Sequence, residues 1–166
     1  MMNFKIRQFQ PEDAESLARF GNNDKIARNL RNAFPHPFSI ENAIWYINNY
    51  GVKPGQCVKA IAVNGEAVGT IGVIMQDDIH CKSAELGYWL GEPFWNKGIV
   101  SAAIKEMCEF IFAEYDIVRI YAEVFSYNIG SQKALEKAGF QLEGILKRSI
   151  YKNGQIYDSC IYALVK

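Results

Sequence analysis

The chain has no net charge: 18 basic residues balance 18 acidic ones. It therefore carries no global field to draw it onto nucleic acid or an anionic membrane, and only local patches remain to do so. Histidine is scarce, with only His36 and His80, and the four cysteines (Cys57, Cys81, Cys108, Cys160) are scattered without a C-x-x-C pair. That spacing argues against a metal site or a disulfide framework and for reduced, mostly buried thiols. No segment approaches the ~20 apolar residues of a membrane span. The N-terminal run Met1-Met2-Asn3-Phe4-Lys5-Ile6-Arg7 interleaves charge with apolar residues and lacks the apolar core of a signal peptide. A cytoplasmic location with no membrane partner is the expectation. Repeats, linkers and low-complexity stretches are absent too.

What is present suffices for one compact domain over residues 1–166, since 49% of the residues are apolar. Phe4 to Phe9 alternates like a half-buried strand, and Pro11-Glu12-Asp13 opens a helix with Ala14, Leu17, Ala18 and Phe20 on one side. Residues 22–31 read as helical, and the two prolines of Phe34-Pro35-His36-Pro37-Phe38 impose irregular backbone. Ser39 caps a further helix with Ala43, Ile44, Ile47 and Tyr50 at helical spacing. Gln56 to Val63 and Ala67 to Met75 form a hairpin around Asn64-Gly65, and Ser83 to Gly91 is a mostly apolar, central strand.

A long helix from Gly98 to about Tyr115 presents Val100, Ala103, Ile104, Met107, Cys108 and Ile111 on one face. Val118 to Phe125 alternates as a strand, with Val118, Ile120, Ala122 and Val124 together. Asn128 to Ala138 is a short helix stopped by Gly139, and a last hairpin turns at Asn153-Gly154. This order describes a mixed α/β sheet covered by helices, with strand-helix-strand crossovers.

The richest stretch is Leu86 to Ile111, in which an apolar strand runs through Trp95-Asn96-Lys97-Gly98-Ile99-Val100 into the long helix. A glycine-bearing turn that opens a helix aims unpaired N–H groups and the positive end of the helix dipole at one point, where a phosphate ester binds. Such a unit also serves as a plain packing device. The glycine spacing is that of neither a P-loop nor a dinucleotide fingerprint, and Lys97 precedes the glycine rather than following it. A magnesium-held nucleoside triphosphate is therefore disfavoured.

Three patterns in order resemble the GNAT family of N-acetyltransferases, in particular its ribosomal-protein-alanine acetyltransferase branch. They are Glu85-Leu86-Gly87-Tyr88-Trp89-Leu90 with Trp95 to Val100, then Asn128-Ile129-Gly130-Ser131 running to Gly139-Phe140, and then Tyr151 to Asp158. The likeness covers nearly the whole chain. It implies a central, mostly antiparallel twisted sheet with splayed central strands, and acetyl transfer from acetyl-CoA to an amine, either a protein N-terminal α-amine or a small-molecule amine. By resemblance, the amides of Asn96, Lys97, Gly98, Ile99 and Val100 hold the coenzyme A pyrophosphate. The strand end at Trp89 and Leu90 pairs with pantetheine and the thioester carbonyl, a donor N–H near Leu90 serving the developing oxyanion. The wider family prefers Gln or Arg where Trp95 stands, a small residue at Val100 and often glycine at Asn96.

Ser131, by the same resemblance, sits near the thioester sulfur and returns a proton to the departing thiolate; alternatively it completes the first turn of its helix. Asn128 contacts the pantetheine arm, caps the helix, or does both. Lys133 meets a coenzyme phosphate or is simply exposed. Glu85 is the candidate base, because an amine acceptor is mostly protonated at pH 7 and burial in a central strand would raise the carboxyl pKa; the alternative is a structural salt bridge. Phe34, Phe38, Trp45 and Tyr46 are candidate walls of the acceptor pocket, and His36 borders it. Cys108 lies on an apolar helix face, so direct transfer in a ternary complex is favoured over an acyl-cysteine. A non-catalytic acyl-CoA sensor is the alternative function, and an α/β nucleotide-binding protein a third. The sheet edge or C-terminal hairpin offers a route to a homodimer.

Overall fold

The structure, a computed structural model, describes residues 3–51 and 53–166. Met1 and Met2 of the N-terminal run lie outside the described residues. Lys5–Arg7 (β1), Gln56–Val63 (β2), Glu66–Met75 (β3), Ser83–Leu90 (β4), Arg119–Phe125 (β5), Gln141–Lys152 (β6) and Gln155–Val165 (β7) form a seven-stranded sheet ordered β1-β2-β3-β4-β5-β7-β6. The helices are Asp13–Gly21 (α1), Asp24–Ala27 (α2), Ile40–Tyr50 (α3), Ile99–Glu114 (α4) and Ile129–Lys137 (α5). Every strand pair is antiparallel except β4 with β5. These two are joined by the crossover helix α4, the connection that parallel neighbours require.

Both expected hairpins form. Asn64 and Gly65 take φ of 51° and 87°, and Asn153 and Gly154 take 51° and 78°, the positive values that a type I′ turn requires at its two central residues. Ser39 caps α3 through a reciprocal arrangement with Asn42, which satisfies donors the first helical turn leaves open.

The sheet is covered on two faces. On one, Ile99, Ala103, Ile104, Met107, Cys108 and Ile111 of α4 pack with Leu135 of α5 against Val73, Leu86, Ile120 and Ala122. On the other, Ala14, Leu17 and Ala18 of α1 pack with Phe38, Ala43 and Trp89. Each fully buried aliphatic side chain contributes roughly 1.5–3 kcal/mol relative to exposure.

Several expectations need correction. The first strand is three residues long rather than six: it pairs with β2 alone, and Arg7 turns its guanidinium to the Asp13 carboxylate at 2.7 and 2.8 Å. Of residues 22–31 only Asp24–Ala27 is helical, started by Asn23, whose side chain accepts from the Lys25 amide. Ile44 is 46% exposed because α3 meets the sheet through Ala43. Val118 lies outside β5 and is 47% exposed, whereas Ile120, Ala122 and Val124 do share the buried side. The buried row of α4 begins at Ile99, and Val100 is only half-buried. Two thiols are buried, Cys108 and Cys160, and all four cysteines are free. Among the described residues, no helix is long and apolar enough to cross a membrane.

Candidate active site

The site begins as a failure of pairing at the centre of the sheet. β4 stays registered with β3 as far as Leu90, opposite Gly69, and β5 stays registered with β7 as far as Phe125. Between themselves β4 and β5 pair only over Ser83 to Glu85 with Arg119 to Tyr121. Beyond that point the strands part. Gln76 N donates to Ser83 O and Gly91 N to Val68 O, so the odd-numbered residues of β4 turn their backbone groups toward β3. By the alternation of an antiparallel ladder, the amides of Tyr88 and Leu90 face the gap. Trp89 does not: its backbone pairs with Thr70, and its side chain packs with α1 and α3. The strand-end donors are thus Tyr88 and Leu90, which corrects the expected pair. A cleft of about 1440 Å³ follows the gap through the sheet.

At one end of the cleft lies the turn before α4. Asn96 and Gly98 take φ of 59° and 77°, and among the described residues nothing accepts from the amides of residues 96–101. A Cβ on Gly98 would meet no atom within 4 Å, so glycine answers there to backbone conformation and not to crowding. The Trp95 indole N–H donates to Leu90 O at 2.7 Å, which ties the turn to the strand end and leaves the Leu90 N–H for another acceptor. Lys97, Val100 and Lys133 also line this part of the cleft.

Ser131 stands in the first turn of α5, where its hydroxyl lies 2.6 Å from the Tyr88 hydroxyl. Burial pushes the Tyr88 phenol up to about 12, partly offset by that bond; it stays protonated at any physiological pH. Asn128 caps α5, its carboxamide oxygen accepting from the Ser131 amide at 3.3 Å. The capping role therefore exists, and the Asn128 NH₂ group is left for other contacts.

On the opposite face, Glu85 is 19% exposed and pairs with the Arg31 guanidinium from the segment after α2. Of the two readings offered for it, a base raised by burial and a salt-bridged glutamate, the carboxylate shows the salt bridge. Phe34 and Phe38 stack at 4.5 Å with rings 3° apart, and Phe34 meets the edge of Trp89 at 5.7 Å. Trp45 and Tyr46 line the same wall, with Tyr46 Oη 3.1 Å from Thr70 Oγ1. His36 is exposed and lines a smaller recess together with Arg28, Phe34, Pro35 and Lys152, all of which also line the cleft, so that it borders the cleft without lining it.

Two contributors were not anticipated. Tyr88 lay within the motif, and strand alternation places it on the side of Leu86 and Leu90. Lys152 reaches from the tip of β6 to donate to Leu30 O at 2.8 Å, a contact between residues 122 apart that no local pattern signals. None of the cysteines lines the cleft, and burial pushes the Cys108 thiol up to about 12, which leaves it unsuited to nucleophilic attack. Among the described residues no group of three or more metal-ligating side chains comes together.

Comparison with known proteins gives the arrangement a family. The profile described as an acetyltransferase (GNAT) domain matches residues 3–141. The N-acetyltransferase YoaA of Bacillus subtilis is 32% identical over 169 residues, covering 97% of this chain and 92% of its own. The L-amino acid N-acetyltransferase AaaT of Escherichia coli is 26% identical over 167 residues, covering all of both. Among solved structures, the microcin self-immunity acetyltransferase MccE, in complex with acetyl-CoA and AMP, superposes with a TM-score of 0.84 at 25% identity over 98% of this chain and 92% of that one. Ribosomal-protein acetyltransferases are also among the relatives. The chain belongs to the GNAT family, the N-acetyltransferases that move an acetyl group from acetyl-CoA to an amine.

Proposed function

We propose that the two ends of the cleft divide the reaction between them, with acetyl-CoA held on the α4 side and the amine entering from the α1 and α3 side. The observation that carries this is the parting of β4 from β5, which exposes the Tyr88 and Leu90 amides to a ligand lying in the gap. The open amides of residues 96–101 fit a pyrophosphate, since a helix start offers unpaired donors and a partial positive charge. Lys97 and Lys133 add charge beside it, and Asn128 keeps its NH₂ group for the pantetheine arm.

Acetyl-CoA supplies an activated acyl group as a thioester. Glu85 accepts the ammonium proton of the acceptor, directly or through water, and so frees the nitrogen to attack. The Leu90 N–H donates to the carbonyl oxygen as negative charge builds there. As the C–S bond breaks, Ser131 donates its proton to the departing sulfur and is reprotonated, through water, by the second proton the nitrogen sheds, with the Tyr88 hydroxyl hydrogen-bonded behind it. Phe34, Phe38, Trp45 and Tyr46 wall off the acceptor side, and no side chain carries the acyl group in between. The acceptor is a small-molecule amine or a protein N-terminal α-amine.

Calorimetric titration with acetyl-CoA, with ATP and NAD as controls, tests the cofactor end, and thiol release across a panel of amines and N-terminal peptides tests the other. Saturable binding of acetyl-CoA alone together with turnover of at least one amine is expected. Binding without turnover of any amine would reduce the protein to an acyl-CoA sensor.

A further inference from the structure

Lys152 is charged, only 8% exposed, and lines the cleft. Its ammonium has three donors, of which Leu30 O takes one. Among the described residues no carboxylate lies within ion-pair distance of it. Buried charges are ordinarily paired, and burial alone lowers the pKa of this amine. The imbalance extends around it. Arg28, Arg31 and Lys152 line this side of the cleft against Glu85 and Glu123, although the chain as a whole is neutral. Three cations thus face two carboxylates; Arg31 pairs with Glu85, and among the described residues neither Arg28 nor Lys152 is in an ion pair. Among the described residues, the two buried side-chain polar atoms that lack a partner, Asn29 Oδ1 and Trp89 Nε1, belong to residues lining this cleft.

We propose that Lys152 is a specificity residue that receives the carboxylate of the acceptor, so that the enzyme acts on small amines bearing a carboxylate near the nitrogen, free α-amino acids above all, in preference to neutral amines. The inference rests on the reading that this face admits the amine. Arg31 follows Leu30 in the chain, so the group that anchors Lys152 and the group that pairs with Glu85 come from adjacent residues. A zwitterion lying between them then has a cation for its carboxylate and Glu85 for its ammonium. A polypeptide N-terminus carries an amide where the amino acid carries its carboxylate, and would leave Lys152 without its anion.

The test is thiol release from acetyl-CoA with the proteinogenic amino acids, their carboxamides and a short peptide with a free N-terminus, by the parent enzyme and by Lys152→Met and Lys152→Arg. The acids should exceed their amides by about tenfold to a hundredfold in kcat/KM, the worth of a charged hydrogen bond. Lys152→Met should abolish that preference chiefly through KM, and Lys152→Arg should restore part of it. Equal turnover of acids and amides by the parent overturns this proposal and leaves the acceptor reading standing. A Lys152→Met protein that loses activity on acids and amides alike assigns the lysine to holding the hairpin and also overturns it. If the variant does not fold, the parent's acid-to-amide ratio decides. No turnover of any amine by protein that binds acetyl-CoA overturns the acceptor reading, and this proposal with it.

Discussion

At the α4 end of the cleft the donors are backbone amides, aimed by the path of the chain through Asn96 and Gly98 and by the parting of two strands. At the α2 end the polar groups are side chains brought from segments far apart: Lys152 at the tip of β6, Arg31 after α2, Glu85 in β4. The first arrangement tolerates many side-chain substitutions without losing its ligand, because the recognising atoms belong to every residue type except proline. The second is redirected by a single substitution. One fold therefore keeps its donor while its acceptor changes.

The sharpest way to break this contrast is Gly98→Asp. Space for the side chain exists, but the residue must hold φ near 77°, and its charge would stand beside the proposed pyrophosphate site. Acetyl-CoA affinity should fall a hundredfold or more in a titration, while Gly98→Ala, which adds backbone strain of about 1–2 kcal/mol without charge, should cost less. Unchanged affinity in the aspartate variant would remove the turn from the cofactor end.

Alkaline pH probes the two ends by stability. Tyr46, in the acceptor wall, and Tyr88, beside Ser131, are each pushed up to about 12 by burial. Below pH ~10 the phenols are protonated both folded and unfolded, and contribute no pH dependence. Between pH ~10 and ~12 the unfolded chain releases protons that the folded chain keeps, so stability falls by about 2–3 kcal/mol per tyrosine across that window. Urea midpoints measured from pH 8 to 11 should fall with pH in the parent, and less steeply in Tyr46→Phe and in Tyr88→Phe. A parent midpoint that is flat over that range would mean that the phenols reach solvent.

What the sequence disclosed follows the same division. The hairpins at Asn64-Gly65 and Asn153-Gly154, the row from Ala103 to Ile111 on α4, and the turn at Gly98 are local, because the backbone conformation or helical spacing is itself the signal. Ser131 was legible as part of a helix start, yet its contact with Tyr88 depends on how α5 docks over β4. Ile44 misled for the converse reason, since only the tertiary path shows which side of a short helix meets the sheet. Arg31 carried no local mark, and the one on Lys152, its place in the C-terminal hairpin pattern, said nothing of its contact. Their partners lie 54 and 122 residues away.

The smallest effect separates chemistry from architecture at the point where both ends meet. Ser131→Ala removes the proposed donor to the leaving sulfur and also deprives the buried Tyr88 hydroxyl of its partner at 2.6 Å. The first loss should lower kcat about tenfold with acetyl-CoA affinity little changed; the second should cost about 1–3 kcal/mol of stability. Adding Tyr88→Phe removes the orphaned hydroxyl, so the double variant should regain stability relative to Ser131→Ala but no activity, a non-additivity that a double-mutant cycle reads directly. Were kcat to recover along with stability, Ser131 would be a packing residue, and the contrast between the two ends would rest on backbone donors alone.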